Sequence, residues 1–172
     1  MKNSKLIVLS AISTAFAVIF LTLGAIVPVF DYSGIFMASV CMTLPLTKKS
    51  AWAGVMTYLA TAILSLIFVG GRFEITVSFA VFFGLHPLAN FLFEKAKFNK
   101  IIAVIIKDIW FIASLLLLYC FFEEFIGFEA EILKKYAVPI LIIGGGIIFV
   151  AYDFIMTRFQ KFAVAIVERL KL

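Results

Sequence analysis

Six apolar stretches divide the chain, each bounded by proline, glycine or charged residues, and their lengths suit helices that cross a bilayer. The first is expected over about 6–29, where Pro28 and Asp31 stop it. The second covers about 32–46 and closes on Pro45 and the Lys48-Lys49 pair; it is short, so it tilts little or begins inside the interface. The third extends over about 51–69 and ends at Gly70-Gly71, and the fourth, about 75–93, carries His86 and Pro87. The fifth runs over about 101–122 and gives way to an acidic loop with Glu123, Glu124, Glu129 and Glu131. The sixth covers about 138–156, with Pro139 in its first turn, where a missing N–H does no harm, and Gly144-Gly145-Gly146 at its middle. The triple glycine predicts close helix approach in preference to a break.

The pattern changes after Met156. Phe159, Phe162, Ala163, Ile166, Val167 and Leu170 recur at helical spacing, with Gln160, Lys161, Glu168 and Arg169 on the other side. Residues 157–172 therefore read as an amphipathic helical tail that lies on the membrane interface or extends the sixth span. The fold class is an all-α membrane protein, one domain of six transmembrane helices with short loops.

Composition agrees. Of 172 residues, 65% are apolar and 15% charged, against about 45–50% and about 25% in soluble domains. Loops this short leave no room for a separate catalytic or DNA-binding domain. The first apolar run is longer than a secretory leader's core and reads as a retained helix.

Charge placement sets an orientation. With the N-terminus in the cytoplasm, Lys2, Lys5, Lys48, Lys49, Lys95, Lys97, Lys100, Lys107, Arg158, Lys161, Arg169 and Lys171 fall on the inner side, and only Arg72, Lys134 and Lys135 fall outside. Basic loops stay on the cytoplasmic face, so twelve against three predicts an even number of crossings with both termini inside. The net charge of +5 is accounted for by those loops and calls for no nucleic acid. One histidine and two distant cysteines, Cys41 and Cys120, give no metal site and no disulfide, and no cofactor is expected.

Ionisable residues inside spans need partners or a wet cavity. His86, Lys107, Asp108 and Asp153 are the candidates, all in the inner half. The fifth and sixth spans run in opposite directions, and a rise of ~1.5 Å per residue puts Lys107 and Asp153 at similar depth, about 7–10 Å in. A cross-helix ion pair is expected, with Asp108 or Arg158 as competing partners and a structural role ahead of a proton relay. Pro87 should kink the fourth span and free a carbonyl one turn earlier. His86 then reads as bonded to that opened backbone or to Asn90, ahead of a catalytic role. Ser-His-Asp, HExxH, GxSxG and phosphate-loop patterns are absent, so the chain is not expected to be an enzyme.

The outer side gathers Asp31 and Tyr32 between spans 1 and 2, Arg72, Phe73 and Glu74 between spans 3 and 4, Tyr119 at the end of span 5 and Tyr136 at the start of span 6. Aromatic walls with charges that fix orientation suit a small solute; an aromatic belt and loop solvation would use the same residues. Arg72 is placed to hold a ligand carboxylate, or to be neutralised by Glu74. On the inner half of span 1, Ala11 and Ala15 form a small-xxx-small pair, with Ser13 and Ala17 on a neighbouring face.

The opening SKLIVLSAISTAFAVIF with its Ala11-x-x-x-Ala15 pair, the six short-looped spans and the inward termini resemble the substrate-binding S component of energy-coupling-factor (ECF) vitamin transporters. The segment FFGLHPLANFLFEK, Phe82 to Lys95, is similar to the fourth-span region of S-component-like proteins from Firmicutes. The resemblance implies a bacterial plasma-membrane protein that captures a vitamin or similar small water-soluble metabolite at its outer face. It implies a shared transmembrane T component and two cytoplasmic ATPases as partners, with the whole S component toppling during transport. Ala11 and Ala15 would then be docking positions, and Asp31, Tyr32, Arg72, Glu74, Tyr119 and Tyr136 ligand contacts. Trp52 and Trp110 lie towards the inner half, so no outer tryptophan cage for a thiamine-like cation is expected. Two other readings stay open: a structural or assembly protein of similar fold, such as the cell-shape family MreD, and a small membrane enzyme using His86 and the inner carboxylates.

Overall fold

The computed structural model describes residues 2–122 and 135–169, and among these every regular element is helical. The acidic loop with Glu123, Glu124, Glu129, Glu131 and Lys134 lies outside the described residues, as do Leu170 and Lys171. The helices are α1 (Lys2–Ile26), α2 (Asp31–Cys41), α3 (Thr43–Leu46), α4 (Ala51–Phe68), α5 (Phe73–Ser78), α6 (His86–Lys95), α7 (Lys100–Phe121) and α8 (Ala137–Arg169). Grouped by continuity they make six stretches long and apolar enough to cross a membrane: Ser4–Ile26, Pro28–Leu46, Ala51–Phe68, Phe73–Lys95, Lys100–Phe121 and Ala137–Arg169.

Local chemistry sets the ends. Pro28 opens a 3-10 turn, Pro28–Phe30, so α1 stops at Ile26, short of the expected 29, and the second span begins earlier than 32. The Ser50 hydroxyl accepts from the Ala53 N–H at 3.2 Å and starts α4; the Asn99 side chain accepts from the Ile101 N–H at 2.9 Å and starts α7. Gly70 and Gly71 take φ of +66° and +100°, a left-handed turn that other residues resist, and reverse the chain after α4.

The chain forms two compact units, Met1–Lys97 with Met156–Leu172, and Phe98–Ile155. In the first, α1 packs along both α2 and α4. The crossing of α1 and α2 is close: a Cβ on Gly34 would stand 2.5 Å from the Phe20 carbonyl oxygen and 3.1 Å from Gly24 Cα. Ser13 lies on this buried side and its hydroxyl donates to the Cys41 carbonyl. Helix α4 turns small and polar residues inward (Ala53, Gly54, Thr57, Thr61, Ser65), while Trp52, Ile63, Ile67 and Phe68 stay exposed. An arrangement with apolar bulk outside and small side chains inside is the packing expected of helices in lipid.

The fourth span is two α-helical halves joined by a π turn over Phe79–Phe83, closed by the Gly84 N–H donating to the Phe79 carbonyl at 2.7 Å. Pro87 cannot donate to Phe83, whose carbonyl instead accepts from the Ser39 hydroxyl at 2.6 Å. Tyr58 donates to the Ala80 carbonyl at 2.8 Å, and Gln160 Nε2 to the Pro87 carbonyl at 2.8 Å. Three carbonyls of the interrupted helix are thus met by side chains of α2, α4 and α8. Residues 157–169 continue α8 without a break. Met156, Ala163 and Val167 are buried on one side of it, and the Phe159 ring meets Phe36 edge-on at 6.1 Å.

In the second unit α7 lies beside the first half of α8. Phe111 and Phe149 have ring centroids 5.6 Å apart, and a Cβ on Gly145 would come within 2.9 Å of Leu115. The helix runs unbroken through the triple glycine.

Candidate functional site

The site grows from two chain reversals. The 3-10 turn after α1 delivers Asp31 to the first turn of α2, and the Gly70-Gly71 turn after α4 delivers Arg72 to the mouth of α5, with Glu74 in its first turn. Arg72 bridges them. Its Nη1 donates to Asp31 Oδ1 at 2.8 Å, its Nη2 to Asp31 Oδ2 at 2.7 Å and its Nε to Glu74 Oε1 at 2.8 Å. This two-pronged arginine–carboxylate contact is among the stronger and more directional of ionic hydrogen bonds.

The three groups differ in access. The Arg72 side chain is 31% exposed, that of Asp31 13% and that of Glu74 17%. Hydrogen bonds donated to Asp31 hold the Arg72 guanidinium above its usual pKa against the opposing pull of burial, and Glu74 adds to the lift. Arg72 therefore stays charged, and the cluster sums to one excess negative charge. A solute carboxylate approaching Arg72 meets a fork already occupied by Asp31. Tyr32, 59% exposed, stands next to Asp31 in the chain, and Phe73 is exposed beside Arg72.

The other expected contacts belong to the second unit. Tyr119 is half-buried near the end of α7, and Tyr136, exposed, precedes α8 with the Lys135 ammonium 5.8 Å from its ring centre. On α1, Ala11 and Ala15 lie on the exposed side among Ile7, Val8, Ile12 and Phe16, whereas Ser13 and Ala17 are fully buried. The two small-xxx-small pairs thus have different fates.

Among the intramembrane polar residues, Lys107 Nζ donates to Asp153 Oδ1, and both residues are buried. This is the pairing the depth count anticipates. Asp108, one position on, faces Gly146. His86 is fully buried at the start of α6, its ring 5.3 Å from that of Phe82. No group of three or more His, Cys, Asp or Glu side chains suited to a metal occurs among the described residues.

Sequence reasoning singled out neither Ser39, Tyr58 and Gln160, which hold the interrupted fourth span, nor the Gly24 and Gly34 crossing. Gln160, read from the sequence as part of the polar side of the tail, is half-buried and reaches the Pro87 carbonyl instead. No protein-family model, curated protein or solved structure matches the chain.

Proposed function

We propose that this chain is the solute-capturing membrane subunit of an ECF-type uptake transporter, an S component. It takes a vitamin or similar small water-soluble metabolite at its outer face, both termini lie in a bacterial cytoplasm, and the chain itself catalyses nothing. The observation that carries the reading is the Arg72 bridge. Two loops that share one end of the spans are tied by a charged, partly exposed cluster with aromatic side chains beside it. Such a mix of fixed charge and aromatic surface suits recognition of a small polar molecule. Ala11 and Ala15, exposed on α1, offer a close-approach surface for a T component, and two partner ATPases supply the energy.

The test is reconstitution in vesicles with a T component and its two ATPases. The proposal expects ATP-dependent uptake of a metabolite that requires this chain; vesicles that assemble the full complex yet accumulate nothing from a vitamin panel contradict it. A second reading, an assembly protein of MreD type, is favoured by one fact: Arg72 is met on both sides by the chain's own carboxylates, as a pure brace would be.

A further inference from the structure

The α7–α8 pair carries an acid that the ion pair beside it leaves unmatched. Lys107 and Asp153 neutralise each other in the interior of the second unit. Asp108 is a third ionisable group within the same two helices. Its Oδ1 is buried and has no hydrogen-bond partner among the described residues. The carboxylate lies over Gly146, where a Cβ would sit 3.7 Å from Oδ1 and 3.8 Å from Oδ2. Asp108 stands eight positions past Lys100, the first residue of its span, or about 12 Å along the helix. Around it Ile105, Ile109, Ile143 and Ile147 are exposed, as lipid-facing side chains are.

A carboxylate at that depth is expensive without a counter-charge, and acyl chains supply none. The notch left by Gly146 holds the Asp108 carboxylate itself, so the acid lies against bare backbone. Bare backbone beside an unmatched acid is the complement of a helix that carries a base. We propose that Asp108 and Gly146 form a docking point for a transmembrane helix of a partner protein bearing a lysine or arginine at matching depth. The unmatched acid selects the sign of the partner's charge. This surface is independent of the solute-capture reading and of Ala11 and Ala15.

The probe is a synthetic poly-leucine transmembrane peptide with a single arginine about 12 Å from one interface, compared with its all-leucine parent. The full chain, labelled at the exposed Cys120, is reconstituted in phosphatidylcholine vesicles, and energy transfer reports association. The arginine peptide is expected to bind about tenfold more tightly than the parent, the scale of one interhelical polar contact in a membrane. Equal binding of the two peptides to the wild-type chain overturns the proposal without recourse to any variant. Asp108→Asn should abolish the preference and Asp108→Glu keep it, while Gly146→Leu should weaken binding of the arginine peptide. A folded Asp108→Asn protein that still prefers arginine also overturns it.

Discussion

Arg72 grips Asp31 with both terminal nitrogens across 41 residues of sequence, and so joins the turn between α1 and α2 to the turn between α4 and α5. The geometry is a fork on a carboxylate, which lysine cannot copy. Arg72→Lys should therefore behave more like Arg72→Ala than like wild type. Both should lower stability by about 1–3 kcal/mol, the range for hydrogen bonds to charged groups. Thermal unfolding in detergent reads the effect, and an Arg72→Lys protein that melts with wild type refutes the fork.

The Lys107–Asp153 pair offers a sharper contrast. Lys107→Leu removes the cation from a buried carboxylate and should cost about 3–5 kcal/mol, visible as loss of folded protein. The double exchange Lys107→Asp with Asp153→Lys restores opposite charges at one depth and should recover much of that loss. Equal yields for the single and the double variant refute the pairing.

Helix α1 has two faces that a bulky residue distinguishes. Ala17 is fully buried, so Ala17→Trp should destabilise by about 1–3 kcal/mol through overpacking. Ala11→Trp and Ala15→Trp should melt within about 0.5 kcal/mol of wild type, since both positions are exposed. The same two variants should fail to co-purify with a T component if that face docks it.

The interruption of the fourth span depends on outside donors. Ser39→Ala removes the hydroxyl that meets the Phe83 carbonyl and should cost about 1–2 kcal/mol. Restoring a donor in place with Pro87→Ala should make the Ser39→Ala change milder, because the backbone N–H at 87 then competes for the same carbonyl. Additive losses in the double variant contradict this account.

Much of this was legible in the chain because membrane helices announce themselves locally. Pro28, Gly70-Gly71 and the Lys48-Lys49 pair mark where apolar runs end, and each falls at or beside a helix end. Lys107 and Asp153 could be matched by counting rise along antiparallel helices. Asp31 could not be matched to Arg72 in that way, since the contact needs two loops to become neighbours, and only Glu74, two positions from Arg72, was visible as a partner. The inward face of α4 was equally hidden. Its threonines and Ser65 look like interruptions in an apolar run until the packing shows that small side chains are the ones turned inward. Gly24 and Gly34 carry no mark beyond flanking Pro28, yet they set how closely α1 and α2 approach.

Solute capture at the Arg72 end is most directly tested by what the protein holds. The full chain is purified in mild detergent from cells grown on rich medium, and native mass spectrometry records the bound small molecules. The account predicts one water-soluble metabolite retained by the wild type and lost from Asp31→Asn and Arg72→Ala proteins that remain folded. A wild-type protein that holds no metabolite and binds none from a panel of vitamins, or one whose ligand stays bound in both variants, contradicts it.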